Sequence, residues 1–258
     1  MKAHARLVVC RDGERTILRE LCSVAPLMLY PRRGSGAAAV VHLVNSATSP
    51  LGGDELTLTV HVGPGAALRL SGVAATLALP GPRGERSHST VDIEVAAGGV
   101  LEYLPEPTVV TARARHTAVL RASVAPGGYF HTREVLVLGR AGERPGELTT
   151  SQHVTRGAVP VLHQTLTIGD STLDSSLAQL AGNRVLATDL VVGGPELPAA
   201  SGEWWSRSPL AAGGTLTTSL APDAVTALRH LGHASPGVGP KRGRGKAKKW
   251  KTNKEQKI

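Results

Sequence analysis

One short turn recurs along the chain, and it limits the fold more than any other feature. Val62-Gly63-Pro64-Gly65, Val95-Ala96-Ala97-Gly98 and Val124-Ala125-Pro126-Gly127 each place a Val, two turn residues and a Gly in the same order. The closing glycines lie 33 and then 29 residues apart. A strand runs into each turn. Before the first, Leu56, Leu58, Val60 and Val62 alternate with Glu55, Thr57, Thr59 and His61, the period of a half-buried strand. Another strand runs out of each: Ala67–Ser71, Val100–Leu104 and Tyr129–Leu138. Hairpin-like units at a spacing of about 30 residues imply layers stacked on one another. The looseness of the repeat leaves an ordinary β-sandwich open.

Composition agrees with thin layers. Hydrophobic residues make up 41% of the 258 but aromatics only 3%, so the core must be built from Leu, Val and Ala. Thirty Gly and 17 Pro suit many short strands joined by tight turns. The fold class expected is therefore mainly all-β, a stacked strand domain over residues 1–235. Two short helices are expected, over Ser175–Ala181 (ended at Gly182) and Pro222–Leu231 (ended at Gly232). Two further strands are expected within His153–Ile168, around Gly157-Ala158, and one over Val185–Val192. Gly193–Pro209, rich in Gly, Pro and Ser, reads as a loop. It carries Trp204 and Trp205, which can anchor a partner or cap a core edge.

The net charge of +9 is concentrated at one end. Residues 241–258 hold nine Lys or Arg against the single acid Glu255, a net of +8. The rest has 20 basic and 19 acidic residues, a net of +1. The body is nearly neutral, and residues 236–258 read as a basic, disordered tail. Cys10 and Cys22 are too few for a disulfide framework and read as buried thiols. Met1–Arg6 is followed at once by charged Arg11, Asp12 and Glu14, not by an apolar signal core. No apolar run approaches the roughly 20 residues of a membrane span. A soluble cytoplasmic protein is the expectation.

No enzyme signature is present. The chain lacks a GxSxG elbow, a phosphate-cradling Gly-x4-Gly-Lys-Ser/Thr loop and a GxGxxG after a strand. His230 and His233, three apart at a helix end, lack a third metal ligand nearby. The acids are spread along strands. Asp54 follows the double glycine Gly52-Gly53, Glu102 and Glu106 flank Tyr103-Leu104-Pro105, and Glu134 stands beside Val135. Arg140 and Glu147 bracket a Gly-rich loop. Such carboxylates suit ion pairs or the transit of a cation.

The ordered set Pro26-Leu27-Met28-Leu29, Val41–Asn45, Leu51-Gly52-Gly53-Asp54-Glu55-Leu56, Val62–Ala66, Leu101–Glu106 and Leu138-Gly139-Arg140 through Gly146-Glu147 resembles the UreD (UreH) urease accessory proteins. The match covers roughly residues 20–170 and weakens toward 232, and its Ala/Gly-rich form looks like the actinobacterial variant. The resemblance implies a non-enzymatic maturation scaffold with a helically wound β fold. Such a scaffold binds apo-urease and a helical UreF partner, which recruits the GTPase UreG, and nickel passes through it without a tightly bound cofactor. It places Asp54 and Glu134 on the nickel path, with Thr76, Gln164, Arg140 and Glu147 lining it or supporting it. Leu77 and Leu79 replace the Lys and Tyr that many members carry after Thr76, and Gln164 replaces an acid. The helix with Leu228 and Leu231, together with Trp204 and Trp205, is the expected partner surface. The competing expectation is a nucleic-acid-binding β protein acting through the basic tail, with steeply salt-dependent binding. A carbohydrate-acting module fits poorly, because aromatics are few and no catalytic acid pair is recognisable.

Overall fold

The computed structural model describes residues 1–34, 36–169 and 171–234, the side chains of Ser171 and Thr172 excepted. The expected tail, 236–258, lies outside the described residues. The chain opens with β1 (Lys2–Asp12), β2 (Arg15–Cys22), β3 (Leu27–Arg32), β4 (Ala39–Asn45), β5 (Glu55–Val62) and β6 (Ala67–Gly72). Next come β7 (Thr76–Ala78), β8 (Ser87–Val95), β9 (Val100–Leu104), β10 (Thr108–Val110), β11 (Arg115–Val124) and β12 (Tyr129–Leu138). A hairpin of β13 (Glu147–Arg156) and β14 (Val159–Ile168) leads to a single helical turn, α1 (Ser171–Asp174). Finally β15 (Val185–Val192), β16 (Ala200–Gly202), β17 (Trp205–Pro209) and β18 (Thr215–Ala221) precede α2 (Ala224–Ala234).

The recurrent turns do not close hairpins. Each carries the chain from one sheet to the other. A seven-stranded sheet runs β14-β13-β11-β8-β5-β1-β2, and an eleven-stranded one contains the path β16-β17-β18-β15-β12-β9-β6-β4-β3. The strands entering the turns, β5, β8 and β11, pair in parallel, as do the strands leaving them, β6, β9 and β12. The result is a wound stack of coils, as the repeat implied. Gly65, Gly98 and Gly127 all have positive φ, between 64° and 78°, at the third position of the turn. That φ is what a turn of type II requires there, and only Gly adopts it without strain. Backbone bonds tie one turn to the next, Gly65 N–H to Ala97 O and Gly98 N–H to Gly127 O, both at 3.2 Å.

The main core lies between the sheets. Leu56, Leu58, Val60 and Val62 point inward from β5, as their alternation required, and meet Leu68, Leu70, Leu101 and Phe130 from the facing sheet. A second cluster, with Leu136, Leu138, Leu148 and Ile168, fills the other end. A third, built by Val135, Val185, Ala187, Ala227 and Leu231, seats α2 on the outer face of the larger sheet.

Several expectations change. Gly193–Pro209 is not all loop, since β16 and β17 form a short hairpin within it. Helix α1 precedes the expected 175–181 segment, whose residues form turns. Helix α2 passes through Gly232 to Ala234, because Ala234 is still buried against the sheet. Asp223 caps it, accepting the Thr226 N–H at 2.8 Å. The cysteines are not buried: Cys10 is half-buried and Cys22 exposed, since β2 is an edge strand. No described helix is long and apolar enough to cross a membrane.

Candidate functional site

The two core clusters between the sheets do not meet. Along the inward face of β12 the residues read Phe130, Thr132, Glu134, Leu136 and Leu138. The first belongs to one cluster and the last two to the other. On β13 the same interruption falls at Thr150 and Gln152, and on β15 at Thr188, in register with Glu134. A belt of polar side chains therefore crosses the interior. Glu134 spans the gap between the sheets. Its Oε1 accepts the Thr150 hydroxyl at 2.7 Å and its Oε2 accepts the Gln152 amide at 3.0 Å. Burial pushes the Glu134 carboxyl above its usual range, and the two hydrogen bonds offset part of that push. The Gln152 carbonyl oxygen is buried without a hydrogen-bond partner among the described residues.

A cavity of about 390 Å³ opens beside this belt. Its walls are mostly apolar, with Leu56, Leu58, Val91 and Leu120 on one side, and its polar lining includes Glu134, Gln152, Thr132, Tyr103 and His116. Exposed lining residues mark its mouth: Asn45 at the end of β4 and Thr48 after it, Val73 after β6, Leu77 on β7, and Glu106. The Tyr103 hydroxyl is held neutral by burial and by the charge of Glu134. His116 is buried in the wall, its Nδ1 2.8 Å from Ser87 Oγ. Burial and the nearby His88 pull its pKa down to about 4, against the hydrogen bond at Ser87. The imidazole is neutral at physiological pH.

The expected site residues separate into groups. Glu134 and Thr76 line the cavity, and Thr76 Oγ1 lies 3.4 Å from Asn45 Nδ2 at its mouth. Gln164 is exposed on edge strand β14, in register with Gln152 on the same inward face. Asp54 is not part of the cavity lining. It is buried, 3% exposed, with its carboxylate committed to the fold. Oδ2 accepts Ser49 Oγ at 2.9 Å and the Leu51 N–H at 2.8 Å, and Oδ1 accepts the Met1 ammonium at 2.7 Å.

Arg140 and Glu147 do not pair with each other. Arg140 binds Glu143 at 3.0 Å, and Glu147 binds Arg86 and Arg115 at 2.9 and 3.1 Å. Leu231 is buried under α2 with Leu228 half-buried beside it, so neither faces outward as a partner surface would. The helix shows Val225, Arg229 and His233 instead. Trp204 is 43% exposed, while the Trp205 indole is half-buried and lies against Gly202. Among the described residues no group of three His, Cys, Asp or Glu could hold a metal ion, and His230 turns to Ser219 at 2.9 Å.

Sequence reasoning missed Thr150, Gln152, Tyr103 and His116. A signal existed: Thr132 and Glu134, Thr150 and Gln152, and Thr188 all occupy the inward phase of a strand where an apolar residue is expected.

The UreD urease accessory protein family matches residues 1–238. A urease accessory protein, UreD 1, of Saccharopolyspora erythraea is 56% identical over 238 residues, covering 90% of this chain and 92% of that protein. UreD of Streptomyces avermitilis is 37% identical over 248 residues, covering 93% and 98%. UreD of Parafrankia sp. EAN1pec is 38% identical over 259 residues, covering 90% and 86%.

Proposed function

The chain belongs to the UreD urease accessory protein family, and on that premise we propose that it is a cytoplasmic, non-catalytic scaffold of urease maturation. It holds apo-urease, a UreF-like helical protein and a UreG-like GTPase together while nickel crosses its interior. Nickel is the cargo, and no tightly bound cofactor takes part.

The observation that supports this reading is the polar belt with a cavity at its side. At about 30 Å³ per water, ~390 Å³ has room for a dozen waters, enough for a divalent ion with its hydration shell. Ni²⁺ accepts carboxylate, imidazole and water as ligands. One carboxylate, Glu134, with hydroxyl and amide oxygens around it, attracts a hydrated ion without stripping and trapping it. Transit needs that weakness. Glu106 at the mouth adds negative charge where an ion enters. Within this reading Glu134 carries the path, with Thr76 at its mouth and Gln164 beside Gln152. Asp54, Arg140 and Glu147 support the fold. Trp204 and the outward face of α2 are the surfaces free for a partner.

The test is Glu134→Gln, which keeps the two hydrogen bonds, once the Gln152 amide turns its free oxygen to the new NH2, and removes the charge. Burial works against the charged form of Glu134, so the variant remains folded at neutral pH. Urease matured with it is expected to contain at most half the nickel of urease matured with the unaltered chain, with co-purification of the three partners unchanged. A normal nickel content sinks the passage. Failure of the unaltered chain to co-purify with apo-urease and a UreF-like protein sinks the scaffold.

A further inference from the structure

Six of the ten histidines have a side-chain partner within hydrogen-bond or ion-pair distance, such as Ser87 for His116 and Asp189 for His131. His153 and His163 differ. They stand directly opposite each other on the antiparallel strands β13 and β14, with ring centroids 4.0 Å apart. Neither ring has a hydrogen-bond partner among the described residues. Their neighbours are already occupied. Two register positions away, next on the same face, the Ser151 and Thr165 hydroxyls bond each other at 2.8 Å. On the other side Arg121, in register with His153, is drawn toward Asp92 at 3.1 Å. His163 is exposed and His153 half-buried, so the pair faces solvent on the outer surface of the smaller sheet.

Two imidazoles with no hydrogen-bond partner, fixed side by side on rigid strands, are a chelate for borderline divalent ions, which imidazole suits. Metal–nitrogen distances of about 2.0–2.1 Å are reached by side-chain rotation alone, because directly opposed residues have Cβ atoms only about 5 Å apart. We propose that His153 and His163 form a two-imidazole site for a borderline divalent cation (Ni²⁺, Cu²⁺ or Zn²⁺) on the outer face of the β13–β14 hairpin. Two protein ligands leave the other positions to water, so the ion exchanges readily.

The position adds meaning. The adjacent register pair, Gln152 with Gln164, faces inward, and Gln152 holds Glu134. An ion held on the outer face therefore sits one sheet thickness from the polar belt. The site stands on its own geometry and does not require the passage.

Ni²⁺ titrated into the untagged full chain tests it, followed by calorimetry and by the ring signals of ¹⁵N-labelled histidine. Paramagnetic broadening is expected first at His153 and His163. His153→Asn and His163→Asn should each weaken that binding step at least tenfold. His4→Asn, far along the same sheet, should leave it unchanged. Both positions are at the surface, so the variants fold. Unchanged affinity in both variants, or broadening that begins at other histidines, overturns the proposal. Glu134→Gln should retain this step, so the site and the passage fail separately.

Discussion

At the scale of single residues, Asp54 and Gly52 show how much one turn does. Gly52 has no room for a side chain: an added Cβ would lie 2.3 Å from Gly81 N and 2.5 Å from Glu85 O. The double glycine thus serves two ends, close approach at Gly52 and a positive φ of 90° at Gly53. Asp54 ties the turn, with each carboxylate oxygen engaged. Burial opposes its ionisation, but the bonds from the Met1 ammonium, Leu51 N–H and Ser49 outweigh it and hold its pKa below the usual carboxylate range. A lowered carboxyl pKa stabilises the fold above the unfolded value near 3.8, and that contribution disappears as pH falls through the folded value. Asp54→Ala should cost about 2–4 kcal/mol at pH 7, because buried donors are left unmade. Asp54→Asn should cost less and flatten the acid limb of the stability curve. Urea unfolding from pH 2 to 7 measures both. A variant as stable as the unaltered chain would contradict this assignment.

Among the elements, the repeated turn decides the architecture. Gly98→Ala keeps the space, with no neighbour of a new Cβ closer than 3.7 Å, but forces a side chain into φ +66°. The expected cost is about 1–2 kcal/mol, read as a lower urea midpoint with an unchanged slope. Gly232→Ala, in open space on α2 without a positive φ, is the control that should not destabilise. β5 was legible because Leu and Val alternate with polar residues along it, and β9 and β12 fall where strands were expected to leave the turns, as β15 does over its expected Val185–Val192. What was not legible is which strand each turn joins to which. A Val-x-x-Gly turn looks the same whether it closes a hairpin or crosses between sheets, and only the long-range register of β5, β8 and β11 separates the two. The first half of β13 escaped for another reason: Thr150 and Gln152 take inward positions, so Glu147–Gln152 lacks an apolar phase. Glu134 was legible as an acid on a strand, but its partners come from 16 and 18 residues away.

For the whole molecule, charge and fold are separate properties. The body is near neutral and the family match ends at residue 238, before the +8 segment begins. A chain ending at Pro240 should keep its unfolding midpoint and its support of urease maturation. Any binding to duplex DNA at low salt should disappear with the removed residues. A large fall in stability or in urease maturation on truncation would show that the segment belongs to the scaffold. The interior has the opposite logic. Two apolar clusters supply the cohesion, and the belt between them gives up some of it to bury polar groups.

The ends of the winding have a consequence of their own. A stack of parallel strands offers each terminal strand as a template on which another chain can polymerise. In the smaller sheet the parallel run from β1 to β13 is closed at both ends by a strand that turns back, β2 on one side and β14 on the other. β2 also presents Arg15, Arg19 and Glu20 along its edge. The same winding that could build a fibre is thereby held to a fixed number of coils.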